Sequence, residues 1–235
     1  MSCAQAILAT MDAGRVLDAG CGNGRSTRLL ADGFGRFRTI VGIDPDKDSL
    51  DEAKKQTDDS RITYRLRSVS DLDLTPRFET CAIAYALHHV EDPADALESL
   101  VSLLLPGGYL VVTEPICDGL TPAQEIGRDV HHFKSAIDRL KGVVHRQTYR
   151  GDEIRAMVHS SGVEIQNECC EMPADSSSSE ERVNWALKFL QEYLSLLEGQ
   201  ADHAKLSAAK LDLDARISSV GLDSPSNIFI VARKV

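Results

Sequence analysis

Short apolar runs rich in β-branched residues alternate with helical patterns through the first half of the chain. Runs without a polar face are typical of strands buried on both faces of a parallel sheet. The predicted strands lie at residues 15–20, 39–44, 62–66, 81–87 and 109–114. Their alternation with helices predicts an α/β doubly wound sheet, in which ligands bind at the carboxyl ends of the strands.

Two helices have clear starting signals. Asp92 and Pro93 have the residue types of an N-cap and a first helical position, and residues 106–108 are predicted to end that helix. Thr121 and Gln124 have the spacing of a capping box, which predicts the start of a second helix. The second helix is predicted to bury one face, formed by Ile126, Val130, Phe133, Ile137 and Leu140.

The alternating rhythm breaks after the fifth predicted strand. Strand character returns at 163–168 and 227–234, and helical segments occupy roughly 118–150 and 173–220. We interpret the two helical segments as insertions that form a cap on one sheet, so that residues 1–235 make a single domain.

The second insertion contains an aromatic pair with two interpretations. Trp185 and Phe189 lie beside the main apolar face of a helix predicted there, after a serine-rich stretch at 174–181 that is interpreted as a solvated linker or helix entry. The two rings are expected either in a pocket or subunit contact, or in ordinary core. A homodimer formed through the cap helices is the expectation that follows from the first interpretation.

Three glycines follow the first predicted strand at alternate positions, Gly20, Gly22 and Gly24. Glycine allows a backbone to approach a ligand closely and to adopt turns that a Cβ atom would block. A dinucleotide-binding fingerprint would place its third glycine at position 25, which is Arg25. The earlier position of Gly24 favours S-adenosylmethionine over a dinucleotide, and an NAD-dependent oxidoreductase is the less favoured alternative.

Four segments resemble the class I S-adenosylmethionine-dependent methyltransferases, most closely the group called methyltransferase type 11: VLDAGCGNG, VGIDPD, ALHHVEDP and LLPGGYLVVTEP. The resemblance covers about residues 14–116. It implies a Rossmann-like, mostly parallel sheet of seven strands with the last strand antiparallel. It also implies S-adenosyl-L-methionine as the cofactor and methyl transfer by in-line displacement.

The resemblance further implies a set of cofactor-binding residues. Asp44 would accept hydrogen bonds from both ribose hydroxyls, because one carboxylate offers two acceptor oxygens. Pro45 and Asp46 would flank the adenine. The residues implied around the methionine and ribose are Asp18, Gly20, Cys21, Gly22 and Gly24.

The adenine side of the implied site departs from the family pattern. Family members usually carry an acid after the third strand, where this chain has Ser68 followed by Val69. Either Ser68 or Asp71 is expected to meet the adenine amino group. Backbone near Ala84 is implied to bind the amino group of the cofactor's methionine, where family members often have asparagine.

Methyl transfer from a sulfonium depends mainly on alignment and exclusion of water, and a general base matters only where the acceptor loses a proton. No catalytic residue is assigned, and several side chains at strand ends or in the first insertion are candidates. They are Tyr85, His89, Glu114, His132 and His145. Adjacent histidines such as His131 and His132 point in different directions on a helix, so no metal site is predicted.

The acidic composition of the chain narrows the choice of acceptor. The formal charge is −10, whereas nucleic-acid-binding proteins usually present a basic face, so a small molecule is favoured over nucleic acid. A protein methyltransferase stays an alternative, because an acidic surface attracts basic tails. A catalytically silent protein that binds S-adenosylmethionine as a partner or sensor is the other alternative.

The cellular location of the protein is inferred from its apolar runs and its N-terminal residues. The chain has no apolar run long enough for a membrane span, and its N-terminus lacks the basic start of a signal peptide. We therefore expect a cytoplasmic protein without a membrane partner. The six cysteines lack CxxC spacing, which favours reduced thiols.

Overall fold

The computed structural model describes residues 1–72, 77–172 and 178–235. Their strands form one seven-stranded sheet in the order β3-β2-β1-β4-β5-β7-β6, with the last strand antiparallel. The fold class predicted from the sequence is therefore confirmed. The strands are β1 (Arg15–Ala19), β2 (Thr39–Asp44), β3 (Ile62–Leu66), β4 (Phe78–Ala84), β5 (Leu104–Pro115), β6 (Val163–Glu171) and β7 (Asn227–Lys234).

The strand order reverses beside β1. The chain runs outward from β1 to β2 and β3, then returns to place β4 on the other side of β1. Asp18 on β1 thereby pairs in parallel register with Gly42 on β2 and Ala82 on β4. Ligands of doubly wound sheets bind outside the strand ends at such a reversal, which places the candidate site after β1, β2 and β4.

The predicted helix starts are confirmed by their caps. The Asp92 side chain accepts the N–H groups of Ala94 and Asp95, and Thr121 and Gln124 cap each other reciprocally. Two 3₁₀ turns lie at Val69–Asp71 and Leu87–His89. The helices are α1 (Cys3–Leu8), α2 (Arg25–Gly33), α3 (Lys47–Lys55), α4 (Pro93–Leu103), α5 (Pro122–Leu140), α6 (Gly151–Ser160), α7 (Ser179–Ser195) and α8 (His203–Val220).

Two predicted boundaries around β4 and β5 are wrong. The strand predicted at 81–87 occupies Phe78–Ala84, because the chain turns at Tyr85, where φ is +57°. The segment 106–108 does not end a helix but lies inside β5, since α4 ends at Leu103 and strand pairing with β4 begins at once.

Two predictions of burial are also wrong. β3 is an edge strand, so only Ile62 of its residues is buried, whereas burial on both faces was predicted. Leu140 was predicted on the buried face of α5, but it lies in the last turn and is 45% exposed. The remaining predicted residues of that face, such as Ile126 and Ile137, are buried.

Packing divides the chain into two compact units. The first consists of Met1–Glu114, Asp152–Glu171 and Ile228–Val235, and the second of Pro115–Gly151 and Met172–Asn227. The second unit thus contains the helical segments predicted as insertions. The predicted start of the second insertion and part of the serine-rich stretch fall on 173–177, outside the described residues. The single-domain interpretation stays a prediction.

Each unit has an apolar cluster. In the first unit, strand residues pack with α1, α2 and the loop that follows α2; examples are Val16, Ile40, Phe34 and Phe229. In the second unit, α5, α7 and α8 pack together through residues that include Val130, Ile137, Leu190, Leu194, Leu213 and Ile217. No helix among the described residues is long and apolar enough to cross a membrane.

Candidate functional site

The loop after β1 is held in a conformation that suits glycine. Gly20, Gly22 and Gly24 have φ values of +69°, +49° and +76°. A Cβ atom at Gly20 would lie 2.5 Å from the Cβ of Ala86, so this glycine lets the loop pack against the turn after β4. A Cβ at Gly22 would meet nothing within 4 Å, so the backbone there faces open space that a ligand can enter.

The carboxylate of Asp44 joins the end of β2 to this loop. Its Oδ2 accepts the backbone N–H of Gly22 at 2.8 Å, and its Oδ1 accepts the N–H of Asp46 at 2.8 Å. Each carboxylate oxygen has two lone pairs, so both atoms can still accept a further hydrogen bond. Asp44 is thus fixed in position and retains acceptors for the two ribose hydroxyls.

The acid of β1 is buried beneath the same loop. Asp18 is 0% exposed, and its Oδ2 accepts the hydroxyls of Ser26 at 3.0 Å and Thr27 at 2.6 Å. Its Oδ1 is buried without a hydrogen-bond partner in the described part of the chain. Burial raises the pKa of this carboxyl to about 6 despite the two hydroxyl donors. Asp18 therefore offers an unsatisfied acceptor that a cationic ligand group would stabilise as the carboxylate.

Cys21 contributes to the loop differently. Its side chain is 3% exposed and packs toward β2, where a Cβ at Gly42 would lie 2.9 Å from its Sγ. Burial raises the pKa of this thiol. Only the backbone of Cys21 is therefore available to a ligand in the loop.

The residues implied on the adenine side lie at the ends of β2 and β3. Asp44 pairs in register with Leu66, and the Ser68 side chain caps the following 3₁₀ turn by accepting the N–H of Ser70 at 3.2 Å. The Ser68 hydroxyl keeps its own proton as a donor. Asp71 is exposed in the same turn. The geometry is compatible with an adenine contact by either Ser68 or Asp71. The roles of Pro45, Asp46 and Val69 stay predictions.

A strained turn follows β4. Tyr85 has a φ of +57°, the single positive value at a non-glycine position among the described residues. Its N–H donates to the carbonyl of Thr113 on β5 at 2.8 Å, after the buried Ala84 at the strand end. Its side chain is 41% exposed, and partial desolvation raises the pKa of its phenol. Strained backbone of this kind is concentrated at functional sites.

The turn brings a histidine against the acid that was predicted at the end of β5. Glu114 is 0% exposed; its Oε1 makes a short hydrogen bond with Nδ1 of His88, and its Oε2 accepts the Leu87 N–H at 3.3 Å. His89, the histidine named as a candidate from the sequence, is exposed, and its ring lies 4.3 Å from that of His88. Glu114 thus contacts His88, which is not among the candidates named from the sequence, and the roles of Glu114 and His89 stay predictions.

The histidines of the second unit form separate hydrogen bonds. Nε2 of His132 accepts the Thr148 N–H at 3.1 Å, and burial lowers the pKa of this imidazole to about 4. His145 is buried; its Nδ1 lies 2.6 Å from Oδ2 of Asp138, and its Nε2 lies 3.0 Å from Nε2 of His131. The structure thus joins His131 to His145 rather than to His132. That these histidines hold no metal ion stays a prediction.

Residues 17–112 match the family model described as "Methyltransferase domain". This part of the chain is therefore similar to methyltransferase domains. A curated relative, the ubiquinone biosynthesis O-methyltransferase of Alkalilimnicola ehrlichii, is 32% identical over 44% of this chain and 42% of its own length. The chain spans about two fifths of the length of the curated relatives it matches first.

Two solved structures share the fold across nearly the whole chain. A S-adenosylmethionine-dependent methyltransferase of Mesorhizobium loti has a TM-score of 0.57 at 20% identity, covering 98% of this chain and 95% of that chain. The YcgJ protein of Bacillus subtilis has a TM-score of 0.64 at 15% identity, covering 98% and 97%. At these identities the likeness shows the fold alone.

The residues around the glycine loop fit the cofactor S-adenosyl-L-methionine. The open backbone at Gly22 allows close approach, Asp44 offers acceptors that suit a ribose, and the Asp18 Oδ1 has no hydrogen-bond partner among the described residues. A cationic methionine portion would meet a carboxylate there rather than a neutral surface.

Proposed function

We propose that this methyltransferase transfers a methyl group from S-adenosylmethionine to a small-molecule acceptor by in-line displacement. The observation that carries the proposal is the pairing of an open Gly22 backbone with a fixed Asp44 carboxylate at the strand-order reversal. This geometry supports binding of the ribose by the acid and of the rest of the cofactor along the loop. The protein then contributes alignment of the acceptor and exclusion of water.

Two observations support a small-molecule acceptor. The net charge of −10 disfavours nucleic acid as a partner. The partial relatives named for ubiquinone biosynthesis act, by their names, on a small molecule, and they match this chain at 32% and 33% identity.

We also propose a cytoplasmic location without a membrane partner, and a homodimer through the helices of the second unit, where Trp185 is 58% exposed.

Calorimetric titration with S-adenosylmethionine and S-adenosylhomocysteine tests the cofactor assignment. We expect both to bind the full chain, and Asp44→Ala to lose binding because the ribose acceptor is gone. Asp48→Ala is a matched control, since Asp48 is an exposed acid in the first turn of α3. Absence of binding to the unaltered chain would overturn the proposal, and NAD would be titrated next.

Transfer of a labelled methyl group to an acceptor panel tests the activity. The panel contains phenols, amines, thiols and a lysine-rich peptide. Label in a small molecule supports the proposal, and label in the peptide alone identifies a protein methyltransferase. Cofactor binding without transfer to any acceptor would favour the silent sensor.

A further inference from the structure

The thiols of Cys3 and Cys169 lie side by side in the first unit, one at the start of α1 and the other near the end of β6. Their side chains are hydrogen-bonded to each other, and both residues are reduced. We propose that this thiol pair is a modification site that hydroperoxides oxidise to an intramolecular disulfide. The inference goes beyond methyl transfer, and its test needs neither a cofactor nor a methyl acceptor.

A carboxylate holds Cys3 against β6. Oε1 of Glu171 accepts the hydroxyl of Ser2 at 3.2 Å, and its Oε2 accepts the backbone N–H of Ala4 at 3.1 Å. Cys3 lies between these two residues, so the first turn of α1 is tied to the end of β6 on both sides of its thiol. The closeness of Cys3 to β6 therefore has a cause in the fold besides the contact between the two thiols.

The alternation of side chains along β6 decides which of its cysteines meets Cys3. Cys169 and Glu171 are two positions apart and share one face of the strand, whereas Cys170 lies on the opposite face. Cys169 packs against the apolar cluster of the first unit, and Ala4 of α1 packs against the same cluster. The partner of Cys3 is therefore Cys169.

The surroundings of the two thiols give them different roles. Cys3 is exposed, so a hydroperoxide reaches its sulfur directly. Cys169 is half-buried, and burial raises the pKa of its thiol to about 12, with a further rise from the hydrogen bond to Cys3. Cys169 therefore stays protonated at neutral pH and acts as the second, resolving thiol.

The proposed oxidation balances in atoms and electrons. The sulfur of Cys3 attacks one oxygen of the hydroperoxide, a sulfur–oxygen bond forms, the oxygen–oxygen bond breaks, and an alcohol or water leaves. The sulfur of Cys169 then attacks the sulfenic acid of Cys3, the disulfide forms, and the hydroxyl leaves as water with the proton of Cys169. The two thiols lose two electrons in total, and the hydroperoxide gains them.

The environment of Cys169 also favours the oxidised form. A disulfide is readily reduced where the protein stabilises one of its thiols as a thiolate. Burial disfavours the thiolate of Cys169, so the reduced form gains no such stabilisation. Because Cys3 is exposed, a small thiol such as glutathione still reaches the bond and returns it to two thiols by exchange.

Thiol counting and peptide mapping of the full chain test the site. The chain has six cysteines, and treatment with hydrogen peroxide should remove two of the thiols that are titratable after denaturation. Trypsin finds no lysine or arginine between Arg155 and Arg182, so Cys169 and Cys170 fall on one peptide. Mapping is therefore repeated in Cys170→Ser, where a bond from Cys3 to this peptide identifies Cys169.

Serine variants test the roles of the two thiols. Cys169→Ser lacks the resolving thiol, so Cys3 should accumulate as the sulfenic acid and be captured by dimedone. Cys3→Ser should form no disulfide at the same dose of peroxide. Cys170→Ser is the matched control, because it removes the cysteine on the other face of β6 and should be oxidised at the rate of the unaltered chain.

Three outcomes would overturn the inference. They are a bond between Cys169 and Cys170 in place of the bond to Cys3, a bond that joins two chains on a non-reducing gel, and retention of all six thiols at a peroxide dose that oxidises free glutathione. Each is measured on the unaltered chain or Cys170→Ser, so the test holds even where another variant fails to fold. Cofactor binding is a separate measurement, so failure here leaves the proposed function intact.

Discussion

The backbone N–H of Gly22 donates to Oδ2 of Asp44 across 2.8 Å, and this contact ties the loop after β1 to the end of β2. The acid therefore organises the glycine loop before any ligand arrives. Its second oxygen is held in the same way by Asp46, so the carboxylate plane has little freedom. A ribose binding here would meet acceptors already in place, which lowers the entropic cost of binding.

Alanine at two glycines of the loop should have different consequences. Gly22→Ala places its Cβ in open space, so the free energy of unfolding should fall only by the left-handed backbone cost of roughly 1–2 kcal/mol. Its methyl group should nevertheless obstruct S-adenosylhomocysteine. Gly20→Ala adds a clash with Ala86, and overpacking should remove roughly a further 1–3 kcal/mol. Urea unfolding measures the stability of the two variants, and calorimetry measures their binding of S-adenosylhomocysteine. Equal stability of the two variants would contradict the close packing of Gly20 against Ala86.

Asp18 should make the cofactor-free protein less stable as pH rises toward neutrality. Its pKa is raised from 3.8 to about 6 in the folded chain, so the folded state binds more protons between these values. The free energy of unfolding contributed by this group therefore falls as pH rises through that window, by about 3 kcal/mol in total. Asp18→Asn should abolish this component in urea titrations at several pH values. An unchanged pH slope would show that Asp18 ionises normally.

His132 should make the protein less stable as the pH falls, the opposite of the effect expected for Asp18. Burial lowers its pKa from 6.5 to about 4, so the unfolded chain binds more protons between these values. Its contribution to stability is present above 6.5 and is lost as pH falls toward 4. Nuclear magnetic resonance of the imidazole should show a neutral ring down to about pH 4. Protonation near the ordinary value of 6.5 would disprove the argument from burial.

The buried face of α5 can be tested with a matched pair. Ile137 is 0% exposed within the apolar cluster of the second unit, so Ile137→Ala should cost about 2–5 kcal/mol of unfolding free energy. Leu140, one turn further along α5, is 45% exposed. Leu140→Ala should therefore change the free energy of unfolding by no more than about 0.5 kcal/mol. Chemical denaturation distinguishes these outcomes. Similar losses for both would mean that α5 buries its last turn as well.

Local patterns in the sequence determined much of the architecture. Apolar runs identified the strands β2, β3 and β7 at their observed bounds, and Asp92 and Thr121 identified two helix starts, because caps and strand periods depend on neighbouring residues. The spacing of the glycines and the acid at the end of β2 likewise predicted the loop that is proposed to bind the cofactor. These features need only short-range chemistry to be recognised.

Contacts between distant segments decided the rest. Whether His88 or His89 meets Glu114 depends on the turn at Tyr85, and adjacent residues in a 3₁₀ turn carry no periodic signal that separates inward from outward. The burial of Asp18 and the pairing of His131 with His145 depend on segments brought together by folding. The sequence by itself thus determined the fold and the glycine-rich turn after β1, whereas burial and long-range contacts decided which polar side chains lie together.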